Sequence, residues 1–202
     1  MFISRFSKNF KGFIRPVFDR QDLEYTYINK YEREKIKRQL EIDFEGKCGY
    51  CGWPDNLSFD SASFHIDHFN PKVKDIPELD KYKEYVYCCP VCNTTKRDRI
   101  IRIDPTTDLY NTVYYRNSSG TILVYNVLER EIKEIACEVR KTIGLDKEIH
   151  KIGYMIVMLN DIKDYISNSQ NFRLKHADLY ISLDCILREM NRIYRRKTYH
   201  IR

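Results

Sequence analysis

The chain has 202 residues, a formal net charge of +6 and a hydrophobic fraction of 43%, enough apolar content to bury a core without disulfides, which excludes a disordered or low-complexity polymer. The longest apolar stretch, residues 154–159, is too short to span a bilayer and no signal-peptide pattern opens the sequence, so a cytoplasmic protein with no membrane partner is expected. The basic balance suits a polyanionic partner, although many proteins without one share it.

Residues 1–20 alternate aromatic and basic side chains (Phe6, Phe10, Phe13, Arg15, Phe18, Arg20) without a sustained period, which predicts an irregular docked arm. Over 21–44 the residues Leu23, Ile28, Tyr31, Ile36, Leu40 and Phe44 fall at mostly helical spacing, and Gly46 stands where a helix stop belongs. Between 47 and 102 short segments are punctuated by Gly, Pro and Asn, with a strand expected at 63–67 and a short helix starting near Asn93. Residues 111–125 read as a β-hairpin, since 113–115 and 122–124 flank a turn at 117–120. Helical periodicity then returns at 129–143, 147–166 and 174–194, the last carrying Leu174, Ala177, Ile181, Ile186, Met190 and Ile193 as its apolar stripe and leading into a basic tail. An α+β architecture follows, with an arm and helix at 1–46, a core holding the concentrated chemistry at 47–102, and a hairpin with C-terminal helices at 103–202.

Two C-x-x-C knuckles, Cys48/Cys51 and Cys89/Cys92, stand far apart in the chain. In a reducing compartment such pairs favour metal over disulfides, and four thiolates would close one tetrahedral, structural Zn²⁺ site with no open position for substrate. The alternative is unrelated buried cysteines. Cys88 reads as a spectator, Cys137 and Cys185 as buried core thiols, and His150, His176 and His200 as surface or satisfied histidines.

Between the knuckles lies the run Phe64-His65-Ile66-Asp67-His68-Phe69-Asn70-Pro71-Lys72, and Asn93 follows Cys92 directly. The ordered combination C-x-x-C, D-H-x-x-P, C-x-x-C-N-x-x-K resembles the HNH nuclease family in its cysteine-bracketed form. That resemblance implies a ββα-metal (His-Me finger) core in which one strand ends at Asp67-His68, a second returns, and a helix bears Asn93. Elementary chemistry agrees with it. Phosphodiester hydrolysis needs a base to deprotonate water and a cation to take up charge, so His68 suits the base, while Asp67 and the Asn93 amide suit a catalytic Mg²⁺ or Mn²⁺. Adjacent strand residues point to opposite faces, so the chain must turn at Asn70-Pro71 for both Asp67 and His68 to address one phosphate. The family's middle Asn corresponds by spacing to Glu84, which would orient the loop carrying His68 by hydrogen bonding, and its final His is Asn93 here. His65 shares the face of Asp67 by alternation and would touch phosphate or metal, or serve simply as a polar strand residue. Lys72, Lys96, Arg97 and Arg99 are read as phosphate contacts, with a solvated basic face as the alternative.

The segment Ala136-x-x-x-Arg140-x-Thr142-Ile143-Gly144-Leu145 is similar to the helical tail of the HNH subunits of bacterial two-gene antiphage systems of Septu type. That similarity implies an ATPase partner docked on the arm and C-terminal helices and a nuclease held inactive until triggered. DNA is the substrate expected. Two other readings stand beside it: a non-catalytic zinc module that binds nucleic acid or protein, and an HNH nuclease acting on RNA.

Overall fold

Helix α1 (Lys30–Asp43) buries Ile36 and Leu40, four residues apart and therefore on one face, and leaves Tyr31 in solvent. It stops where the backbone turns left-handed at Glu45 and Gly46, the Gly46 N–H closing onto the Glu41 carbonyl at 2.7 Å. The computed structural model describes residues 30–57, 63–74, 76–168 and 175–199. The aromatic arm, the first part of the 21–44 helix and the end of the basic tail lie outside those residues.

After α1 the first knuckle folds into a tight loop, in which Cys48 N–H reaches the Trp53 carbonyl at 2.9 Å and Gly52 N–H the Cys48 carbonyl at 2.8 Å. Strand β1 (His65–His68) pairs antiparallel with β2 (Tyr85–Cys88), with His65 opposite Cys88 and His68 opposite Tyr85. Helix α2 (Pro90–Lys96) follows at once, with Cys89 as its N-cap. It begins three residues before the expected Asn93, because Pro90 lacks an N–H and is preset for the first helical position. Asn93 therefore sits in the body of α2.

Of the residues read from sequence as a hairpin, 111–113 belong to helix α3 (Asp108–Val113), Val113 of the expected first strand among them; the hairpin proper is β3 (Tyr114–Arg116) and β4 (Ile122–Val124). Its turn is organised by the Asn117 carboxamide oxygen, which accepts from the N–H groups of Ser119 (3.1 Å) and Thr121 (2.9 Å). Three helices complete the chain: α4 (Arg130–Ile143), α5 (Glu148–Ser167) and α6 (Ala177–Tyr199). Helices α5 and α6 run antiparallel, since Lys163 pairs with Asp184 near one end and Lys197 with Glu148 at the other.

The stripe assigned to the last helix is partly the wrong face: Ile181, Ile186 and Ile193 are 60%, 49% and 37% exposed, whereas Leu183, Leu187, Tyr194 and Thr198 are buried. Apolar residues occur on both sides of α6, so periodicity alone did not select the side that meets α5. Cys185 is exposed and Cys137 half-buried, correcting their reading as core thiols, and His150 is buried with an Nε2 that meets no partner among the described residues. A single core cluster runs from Ile36 to Tyr194. Within it Trp53, beside the first knuckle, stacks on Tyr194 of α6 with ring centroids 4.6 Å apart. Gly153 of α5 permits that stack, because a Cβ there would lie 2.6 Å from the indole. No helix among the described residues is long and apolar enough to cross a membrane.

Candidate metal centre and catalytic cleft

The thiols of Cys48, Cys51, Cys89 and Cys92 converge, all four Sγ atoms lying within 4.8 Å of one another and all four residues buried. Cys51 Sγ and Cys89 Sγ are 3.7 Å apart. A disulfide needs about 2.05 Å, whereas the edge of a tetrahedron with Zn–S bonds of about 2.3 Å is about 3.8 Å, so the donor set fits zinc. Cys92 N–H donates to Cys89 Sγ at 3.5 Å, a bond that would help hold that sulfur as a thiolate on a bound metal. The C-terminal half buttresses the first knuckle: Arg116 donates to the Cys51 carbonyl at 3.2 Å and Tyr110 OH to the Tyr50 carbonyl at 3.1 Å. Cys88 stays outside the group, its thiol turned to the Cys89 carbonyl.

The four-cysteine cluster joins the start of α2 to the first knuckle, and α2 in turn packs on β1. Between them opens a cleft of about 290 Å³ lined by Asp67, His68, Asn93, Lys74, Arg97 and Asp98 among others. His68 is the last residue of β1, and the chain leaves the strand there. Phe69 N–H donates to the Glu84 carbonyl at 2.7 Å, and the Asn70 side chain accepts from Lys72 N–H at 3.1 Å to cap a 3-10 turn at Pro71–Val73. The turn expected at Asn70-Pro71 is present, and Glu84 holds the outgoing chain through its backbone carbonyl.

Asp67 is buried. Tyr50 OH donates to its Oδ2 at 2.5 Å, and Lys96 Nζ lies 3.0 Å from Oδ2 and 3.3 Å from Oδ1. Burial pushes the Asp67 carboxyl above its usual range, while Lys96 and the Tyr50 hydroxyl pull it back. His68 Nε2 lies 3.0 Å from Asp80 Oδ1, and Tyr85 OH donates to that same oxygen at 2.7 Å. Burial lowers His68, the Asp80 carboxylate opposes that shift, and the balance favours the neutral ring. In the tautomer that donates from Nε2 to the Asp80 oxygen, Nδ1 keeps the lone pair.

Of the residues singled out from sequence, Asp67, His68, Asn93 and Arg97 line one cleft, whereas His65 and Lys72 are exposed and outside its lining. Lys96 requires correction. Instead of facing solvent to meet phosphate, it is fully buried, and its ammonium bonds the His68 carbonyl at 2.7 Å as well as Asp67. The α2 stem carries it inward, where a cation is needed beside a buried carboxylate. Arg99 also has other partners: its guanidinium reaches the carbonyls of Thr95 and Thr142, tying the end of α2 to that of α4. Sequence reading missed Tyr50 and Asp80. Tyr50 could have been suspected from its place inside a knuckle, but nothing local marks Asp80.

Asp67, Asn93 and Asp98 all bring hard oxygen donors to the cleft, and a carboxylate has about four lone-pair positions, so the bonds of Asp67 to Tyr50 and Lys96 leave room for a divalent cation. Among the described residues the four cysteines are the only cluster of three or more His, Cys, Asp or Glu ligand atoms, so a catalytic ion would depend on few protein ligands. Residues 48–99 match the family model described as HNH endonuclease. Neither the curated proteins nor the solved structures give a match to the chain.

Proposed function

Taking residues 48–99 as an HNH domain, we propose that the chain is a metal-dependent endonuclease hydrolysing phosphodiester bonds of DNA, with β1, β2 and α2 as its ββα-metal core. The observation that carries this reading is the convergence of Asp67, His68 and Asn93 on one cleft, with His68 braced by Asp80. His68 Nδ1 accepts a proton from the attacking water, and the Asp80 carboxylate stabilises the imidazolium that forms. Asp67 and Asn93 would hold a Mg²⁺ or Mn²⁺ ion, which when bound would supply charge stabilisation for the phosphate and the leaving oxygen. Arg97 and Lys74, on the cleft wall, receive the flanking phosphates. The zinc site fixes α2, and so Asn93, relative to the strand that bears Asp67 and His68.

Purified chain incubated with plasmid and with tRNA, with and without Mg²⁺ or Mn²⁺, tests this. His68→Ala is expected to lower cleavage by about 10²–10⁴-fold while nucleic-acid binding persists. Cleavage by that variant at the wild-type rate would sink the assignment in favour of a non-catalytic zinc module, and cleavage of tRNA alone would redirect it to RNA. An antiphage setting with an ATPase partner rests on the similarity of residues 136–145. Leu179, Ile181 and Ile186, exposed on α6, are where such a partner would bury apolar surface.

A further inference from the structure

Away from the cleft, helices α5 and α6 enclose a groove of about 530 Å³ whose walls carry Lys163, Arg188, Arg192, Arg195 and Arg196 against one carboxylate, Asp184. No residue lining it lines the catalytic cleft. Asp184 is already engaged by both Lys163 and Arg188, and Arg192 is held by Glu189 at 2.7 and 2.5 Å. Arg195 and Arg196 make no ion pair among the described residues. Glu189 feels the Arg196 charge as well as that of Arg192, yet the groove still carries five cationic side chains against Asp184 on its walls, a concave shape and net charge that complement a chain of phosphates.

The spacing suits such a chain. Arg188 and Arg195 are seven residues, or about two turns, apart on α6, a rise of about 10.5 Å, which is far enough for the two guanidinium groups to meet different phosphates of one strand. The groove is also fixed relative to the four-cysteine unit, because Tyr194, next to Arg195, is the residue stacked on Trp53. A phosphate chain held there would be registered against the cleft by the fold and not by a flexible tail.

We propose that this α5/α6 groove is a second phosphodiester-binding site that anchors nucleic acid away from the cleft where it is cut. The proposal rests on the nucleic-acid reading given above. The test uses the full chain, a fluorescently labelled duplex and a single strand of the same length, with binding followed by anisotropy over a salt series and plasmid cleavage measured in parallel. Arg195→Glu combined with Arg196→Glu changes two exposed side chains and is compared with Arg130→Glu combined with Lys133→Glu on α4, an equal change of charge elsewhere.

The groove variant is expected to bind at least about tenfold more weakly and to lower the slope of log affinity against log salt by about 1.8, since each lost phosphate contact removes about 0.9; the control is expected to shift affinity less than about twofold. Equal behaviour of the two variants overturns the proposal, and if the wild type still cleaves, the nuclease reading survives it. Loss of binding in the groove variant alone, with no cleavage by the wild type, supports the groove and removes the nuclease reading. A wild type that binds neither strand form overturns both. Inorganic phosphate added at constant ionic strength separates the sources: displacement of duplex at low millimolar phosphate identifies a small-anion pocket and overturns the anchoring role.

Discussion

Lys96→Met removes the ammonium while keeping most of the apolar stem, so no large cavity confuses the result. Lys96 is fully buried and Asp67 nearly so, and the ammonium contacts both carboxylate oxygens and the His68 carbonyl. Removing one member of a buried pair costs about 3–5 kcal/mol because the other charge is left unpaired, a large part of the ~5–15 kcal/mol that holds a domain together. The cost depends on pH with a definite sign. Burial already raises the folded-state Asp67 carboxyl, and loss of Lys96 raises it further. A carboxyl whose folded value exceeds its unfolded value of about 3.9 contributes most below that value and loses its contribution as pH rises through the folded value. The deficit of the variant should therefore be small near pH 4–5 and full near pH 8. Urea unfolding of zinc-loaded protein, followed by the fluorescence of Trp53, the single tryptophan, measures it at both pH values. A deficit below about 0.5 kcal/mol at pH 8, together with a salt slope for DNA binding reduced by about 0.9, would refute the buried-pair argument and restore Lys96 as a surface phosphate contact.

Purified protein should contain about one zinc per chain by elemental analysis, and Ser at any of Cys48, Cys51, Cys89 or Cys92 should abolish both metal and cooperative folding, because the metal closes two distant loops. Asp80→Asn removes the carboxylate that raises His68, so the acid limb of the pH–rate profile should move to lower pH while the plateau rate falls by about tenfold or more; an unmoved limb would show that Asp80 does not act through His68. Gly153→Ala should destabilise by about 1–3 kcal/mol in thermal or urea unfolding, since its Cβ would meet the Trp53 ring at 2.6 Å; a neutral outcome would mean that the Trp53–Tyr194 stack shifts freely.

Within a few residues, covalent geometry leaves little freedom, and what depends on it was legible in the sequence. A C-x-x-C knuckle presents two thiolates whatever surrounds it, Pro90 and Gly46 mark the ends of helices, and Asn70-Pro71 turns the chain after His68. The HNH pattern is built from such short units, and residues 48–99 match its family model for that reason. Pairings across longer separations were decided by how the elements dock. Lys96 reads as one more basic residue until α2 packs on β1 and brings it to Asp67, 29 positions away; Asp80 has no signal until the loop after β1 returns it to His68. Likewise α6 offers apolar residues on both sides, and only its contact with α5 selects Leu183, Leu187 and Tyr194 for burial and leaves the arginines to line a groove. The sequence by itself determined which donors and bases are available. The tertiary structure decided which of them are neutralised, which are braced and which face solvent, because burial and charge pairing are properties of neighbours that no local spacing encodes.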